Sequence, residues 1–425
     1  MKQEIRSERV RESYQKIDHP SGLTLLLYPM EGFSSAYAML TTDYGSVDMA
    51  FRTDPKADFT RIPAGTAHFL EHKMFDTREG NALQELAKNG AEPNAFTANA
   101  MTAYYFDSTE HFEENLRILL SFVSIPYFTA ESVAKEQGII GQEIRMIEDN
   151  PDWQIYTRML RALYHNHAAR TSIAGTVESI SHITADTLYN CHKAFYTPAN
   201  MILTVVGDVD PIHVADLANR VLPKLSSPVI ERDYGEEPET VAEKETVMEM
   251  EVSAPQFLAG FKCAPAAKGS DYMRANILGD LACDILLGDS SPLYQRLYEQ
   301  GLINPSFGGA YEMLPGVAYL YAGGDSRDAN AVTDAILQEA ERLAAGGVDE
   351  DYFRRIRKAS FGANLRGLNS FENIAVTLTE GYFHGYDPLR FPEVFDSITA
   401  EDIAAFLKTN VTAERMVLSR IVPKQ

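Results

Sequence analysis

Residues 183–206 can be laid on residues 398–421 without a gap, at a constant offset of 215, and this internal copy limits the possible folds of the 425-residue chain more than any other feature. Ile183, Thr184, Ala185, Lys193, Thr197, Met201 and Leu203 recur as Ile398, Thr399, Ala400, Lys408, Thr412, Met416 and Leu418. Each copy opens with a threonine placed to cap a helix and closes on a strand-like run, MILTVVG at 201–207 and MVLSRIV at 416–422. The spacing is too long for a solenoid, so it predicts two homologous α/β halves. Between them, 225–245 is polar and acidic, with ERDYGEEPE at 231–239, and reads as a surface linker. The predicted domains are therefore 1–224 and 246–425, each large enough to bury its own core.

A net charge of −22 excludes a nucleic-acid binder, whose phosphates demand a basic surface, and suits basic or neutral peptides. No apolar run approaches the length of a membrane span, and the opening MKQEIRSERVRESYQ lacks the apolar core of a signal peptide. These features predict a cytoplasmic protein without membrane partners. Cys191, Cys263 and Cys283 are odd in number and scattered, which supports neither a disulfide framework nor a cysteine metal site.

The segment GTAHFLEHKMF at 65–75 contains His68-x-x-Glu71-His72. On a helix, positions i and i+4 share a face, so His68 and His72 can reach one ion. Glu71 then stands beside that ion, where its carboxylate can take a proton from water. Gly65 and Thr66 offer a start and a cap, while Ala67, Phe69, Leu70, Met74 and Phe75 supply an apolar surface. A catalytic zinc ordinarily has three protein ligands and an open position. The third is sought in 130–150, predicted as a helix capped by Thr129 with Val133, Ile139, Ile140, Ile144 and Ile147 buried. Glu136 and Glu143 lie two turns apart on one face, and Glu148 points roughly 140° away from Glu143. The reading takes Glu143 as third ligand, Glu136 as a carboxylate orienting a ligand or the catalytic water, and one Zn2+ per chain. Gly90 to Pro93 read as a turn, and 94–97 and 102–106 as paired strands.

Together with EQGIIGQE, GAEPNAFTANAMTAYYF and LYHNHAARTSIAGTVESISHIT, the motif resembles the pitrilysin family of zinc metallopeptidases, in its half-length branch with the mitochondrial processing peptidase and bacterial relatives. The resemblance runs from about residue 20 to 210 and continues more weakly to the C-terminus. The fold class expected is α+β, each half a mostly antiparallel sheet covered by helices. The resemblance also implies that Asn94, Ala95 and Phe96 lie on a sheet edge that binds substrate backbone by strand addition. The activity it implies is zinc-dependent endopeptidase cleavage of short or unfolded peptides inside a closed chamber, with Glu71 as general base.

Many relatives carry an Arg and a Tyr, six residues apart, that hold the substrate carbonyl. In SSPLYQRLYEQGLIN at 290–304, Tyr298 stands where that Arg is expected, Asn304 replaces the Tyr, and Arg296 reads as a helix-surface residue. The expectation is a homologous partner chain that supplies the pair in a heterodimer, with a homodimer as the other arrangement. Two other readings are a non-catalytic structural or assembly subunit and a peptide-binding module with a structural zinc.

Overall fold

The computed structural model describes residues 2–222 and 228–424, so the predicted boundary at 224 and the first residues of the linker lie outside the described residues. The strands are β1 (Lys2–Ser7), β2 (Glu12–Asp18), β3 (Thr24–Pro29), β4 (Ala36–Thr42), β5 (Ala50–Arg52), β6 (Thr60–Arg61), β7 (Glu92–Thr97), β8 (Thr102–Ser108) and β9 (Met201–Gly207). Five more follow a short β10 (Glu231–Arg232): β11 (Glu245–Met250), β12 (Gln256–Cys263), β13 (Gly308–Leu314), β14 (Val317–Asp325) and β15 (Met416–Pro423). One large sheet runs β1-β2-β3-β9-β4-β8-β7, a second β11-β15-β12-β14-β13, and β10-β5-β6 form a small three-stranded sheet. In the first, β9 is parallel to β3 and antiparallel to β4; in the second, β15 is parallel to β11 and antiparallel to β12. The remaining pairs in both sheets are antiparallel, as expected for the α+β class.

The sequence repeat is reproduced residue for residue. The helices Ala185–Phe195 and Ala400–Asn410 begin and end at the same offset, and so do the starts of β9 and β15. Both helices open with a reciprocal cap: Thr184 with Thr187, and Thr399 with Asp402. Each cap satisfies amides the first helical turn leaves free, which fixes where the chain turns from loop to helix. β9, buried along its whole length, sits at the centre of its sheet.

The compact units do not follow the linear division at 224 and 246. One comprises Met1–Ile144, Ser172–Tyr234 and Leu365–Leu389, and the other Arg145–Thr171, Gly235–Asn364 and Arg390–Gln425. Each unit thus takes a helix from the opposite half of the sequence. Helix Pro151–Leu163 presents Ile155 to Met250 and Ile421, and Ser419 Oγ donates to the Ile155 carbonyl at 2.9 Å. Gly260 on β12 permits its approach, since a Cβ there would meet Met159 Cγ at 2.7 Å. Helix Phe371–His384 covers the other sheet, packing Ile374, Ala375 and Leu378 among Leu26, Tyr28, Tyr37, Met39 and Ile202. Amphipathic periodicity marks these helices in the sequence but does not say which sheet they cover.

The acidic stretch is also more than a solvated linker. Arg232 donates from Nε to Asp48 at 2.9 Å, and the Tyr234 hydroxyl donates to the same carboxylate at 3.0 Å. In the other unit, Glu237 accepts the backbone N–H groups of His165, Asn166 and His167 and the Lys262 ammonium at 2.6 Å. Its charge is matched by buried partners distant in sequence, which composition alone does not show.

Candidate metal centre

The helix Thr66–Met74 starts at Gly65, whose φ of 88° a residue with a side chain adopts only with strain. Thr66 lies within the helix and donates its hydroxyl to the Pro63 carbonyl at 2.6 Å, so glycine rather than a threonine side chain makes the turn. Ala67, Phe69, Leu70 and Met74 are buried and fix the helix's rotation. That rotation places His68 and His72 on one face, their rings 4.6 Å apart.

Helix Ala130–Glu148 brings the carboxylates. Thr129 and Ser132 cap it reciprocally, and Val133, Ile140 and Ile144 form its buried seam. Ile139, expected in that seam, is 46% exposed, and Ile147 is only half-buried: the stripe is narrower than the run of isoleucines suggests. Glu143 Oε1 lies 3.6 Å from His68 Nε2, and its Oε2 lies 3.7 Å from His72 Nε2. One ligand atom from each of the three residues falls within 4.8 Å of the others.

The set fits zinc. Ligand atoms about 2.0–2.1 Å from a tetrahedral zinc stand roughly 3.3–3.4 Å apart, close to the spacings between the imidazole nitrogens and Glu143. Two imidazoles and one carboxylate are among the donor sets of catalytic zinc, with a fourth position open.

Glu136 accounts for the orientation of His72. Its Oε1 is 3.1 Å from His72 Nδ1, turning Nε2 toward Glu143, and its Oε2 is 3.9 Å from Lys73 Nζ. Of the two roles open to Glu136 in the sequence, this geometry corresponds to orienting a ligand. Lys73 is buried, spans Asp76 and Glu136, and was not legible as part of the site beforehand. Among the described residues, His68 Nδ1 is buried without a hydrogen-bond partner.

The electrostatics follow from these contacts. Burial, aided by the neighbouring His72, pushes the His68 pKa down to about 4, which keeps its ring neutral and able to bind metal. Burial pulls His72 the same way but is outweighed by the Glu136 hydrogen bond and the carboxylates of Glu71, Glu136 and Glu143, leaving its pKa raised. Glu71, 9% exposed, has its pKa raised by burial, against the opposing hydrogen bond from Thr97 Oγ1 at 2.7 Å. A carboxylate made more basic in this way is a better proton acceptor. Thr97 is the second residue that sequence reasoning did not assign, although it ends the NAFT segment.

Thr97 also ties the site to the sheet. β7 is an edge strand of its sheet and, among the described residues, pairs with β8 alone, in the register Asn94 with Tyr105, Ala95 with Tyr104 and Phe96 with Ala103. The strand begins at Glu92, so Glu92 and Pro93 are strand residues rather than the end of a turn. Asn94 is exposed, and its Oδ1 accepts the Ala95 N–H at 2.9 Å, a donor an added strand could take over. In the other unit, Arg296 pairs with Glu339 at 3.5 Å, Tyr298 is exposed, and Asn304 donates to Asp325.

Residues 60–177 match the family model described as insulinase, peptidase family M16, and residues 182–360 match that of the M16 inactive domain. The chain is similar to the uncharacterized zinc protease YmfH of Bacillus subtilis, 37% identical over 99% of each. It is 23% identical to the zinc protease PqqE of Helicobacter pylori over 83% of this chain and 80% of that protein. Among solved structures, an M16-like peptidase from Alicyclobacillus acidocaldarius superposes with a TM-score of 0.93 at 34% identity, covering 97% of this chain and 98% of that one.

Proposed function

The chain belongs to peptidase family M16, in its half-length branch, and from that premise we propose that it is a zinc-dependent endopeptidase acting on short or unfolded peptides. The observation that carries this reading is the convergence of His68, His72 and Glu143, with Glu71 buried beside them. His68, His72 and Glu143 would hold one Zn2+ per chain. A zinc ion there would supply Lewis acidity, polarising the scissile carbonyl and lowering the pKa of water. Glu71 would take the proton from the attacking water and pass it to the leaving amine, held in place meanwhile by Thr97. Glu136 keeps His72 turned toward the site. The backbone of Asn94, Ala95 and Phe96 would align the substrate as an added strand, a mode that reads main chain and so suits unfolded peptides.

The oxyanion donors would come from a homologous partner chain, since Arg296 is engaged with Glu339 and Tyr298 and Asn304 cannot supply the missing cation. Such donors contribute about 3 to 4 kcal/mol to catalysis, so the chain alone should be roughly two to three orders of magnitude slower than the pair. Full activity from a purified monomer would refute the partner proposal. The cytoplasm is the proposed compartment; no described helix is long and apolar enough to cross a membrane, and the three cysteines are free and buried.

The testing experiment is digestion of a mixed peptide library by the zinc-loaded chain, with and without a chelator. Zinc-dependent cleavage is the expected result. Zinc binding without cleavage, with or without a homologous partner, would favour a binding module.

A further inference from the structure

Three carboxylates, those of Glu71, Glu136 and Glu143, act on His72, and a single ammonium stands among them. On helix Thr66–Met74, Lys73 lies three residues after Leu70 and four after Phe69, on the seam that faces the core, and is 1% exposed. An apolar side chain is the ordinary occupant of such a position, because burying an ammonium is costly unless opposite charge meets it.

Two acids meet the Lys73 ammonium, and they are not alike. It donates to Asp76, three residues on, and Glu136 Oε2 lies 3.9 Å away. The Asp76 side chain is 39% exposed, so water balances much of its charge; that of Glu136 is 14% exposed. Among the described residues, Lys73 is the only lysine or arginine within ion-pair distance of Glu136. The other oxygen of the same carboxylate, Oε1, is 3.1 Å from His72 Nδ1. A carboxylate is planar and rigid, so a cation that draws one oxygen also sets the direction of the other. Stability alone does not account for the lysine, since a buried ion pair is often no better for folding than two apolar residues.

We propose that Lys73 is a positioning residue of the metal centre: by holding one oxygen of Glu136 it keeps the other on His72 Nδ1, and so keeps His72 Nε2 directed at the place of the ion. This role rests on the zinc reading of the His68, His72 and Glu143 cluster. Lys73 acts through Glu136 alone. The competing account is a staple, in which Lys73 and Asp76 close the last turn of the helix as an i, i+3 pair and Glu136 is a bystander.

The two accounts separate when full-length protein is titrated with zinc against a fluorescent chelator at fixed pH. Lys73→Met removes the ammonium and keeps most of the side-chain volume; it should weaken zinc binding about fivefold, less than the roughly 10–100-fold that follows loss of a histidine's direct partner. Asp76→Asn breaks the same Lys73–Asp76 pair but leaves the ammonium to Glu136, so zinc affinity should stay within about twofold of the parent. In a Glu136→Gln background, Lys73→Met should cost less than about twofold, because the residue it acts through is already changed. Co2+ loaded in place of zinc reads the ligand geometry: its visible absorption should change in Lys73→Met and not in Asp76→Asn. Should Lys73→Met fail to fold, Lys73→Gln replaces it with the same expectations. Equal weakening by Lys73→Met and Asp76→Asn, an undiminished Lys73→Met loss in the Glu136→Gln background, or parental zinc affinity in Lys73→Met overturns the positioning role and leaves the zinc reading standing. A parent chain that takes up no zinc sinks both.

Discussion

Replacing Glu136 tests how the metal centre is held. Its carboxylate sits 3.1 Å from His72 Nδ1 and 3.9 Å from Lys73 Nζ. Glu136→Gln keeps an acceptor for His72 but removes the charge that makes the imidazole more basic. Glu136→Ala removes both, freeing the ring to rotate and leaving Lys73 with Asp76 as its acidic partner. Losing an outer partner of a zinc-bound histidine costs about 10–100-fold in metal affinity, or roughly 1.4–2.7 kcal/mol. Glutamine should fall near the lower end and alanine near the upper. Competition with a fluorescent zinc chelator at fixed pH reads the change directly. If both variants bind zinc like the parent and only turnover falls, Glu136 acts on water or substrate and the orienting role is wrong.

Other consequences concern pH and stability. Thr97→Val removes the hydrogen bond that lowers the Glu71 pKa; since Glu71 must be ionised to act as a base, the acid limb of the pH–rate profile should move to higher pH, and an unmoved limb would argue against that role. His192 is buried against the Val123 carbonyl at 2.9 Å, and burial pushes its pKa down to about 4. Unfolding releases it to about 6.5, so the unfolded chain binds the extra proton between those values. Stability is therefore full above about pH 6.5 and loses roughly 3 kcal/mol as pH falls toward about 4. Denaturation midpoints across that range should show the fall, and His192→Gln should flatten it. Glu237→Ala leaves the buried Lys262 ammonium with only the Leu163 and Thr240 carbonyls and no counter-charge, and frees three backbone N–H groups; it should cost about 3–5 kcal/mol by chemical denaturation, and a loss under 1 kcal/mol would contradict the pairing.

What the sequence disclosed is what local physics encodes. Thr184 and Thr399 cap helices because a hydroxyl satisfies amides a few residues on, and the 3.6-residue turn alone puts His68 beside His72 and Glu136 in line with Glu143. Partners distant along the chain left no such trace. Pro151–Leu163 has the same amphipathic pattern whichever sheet it covers, and its seat is revealed in the fold by Met250, Ile421, Gly260 and Ser419. Glu237 looked like one acid among many in ERDYGEEPE until Lys262 was found against it. Lys73, following His72 directly, gave no sign that it would be buried between Asp76 and Glu136.

The most direct measurement of the central claim compares the parent chain with Glu71→Gln for zinc content and peptide hydrolysis, each with any homologous partner present. The account predicts equal zinc, one ion per chain, and a loss of at least a hundredfold in turnover for the variant. Hydrolysis that survives in the zinc-loaded variant would contradict it.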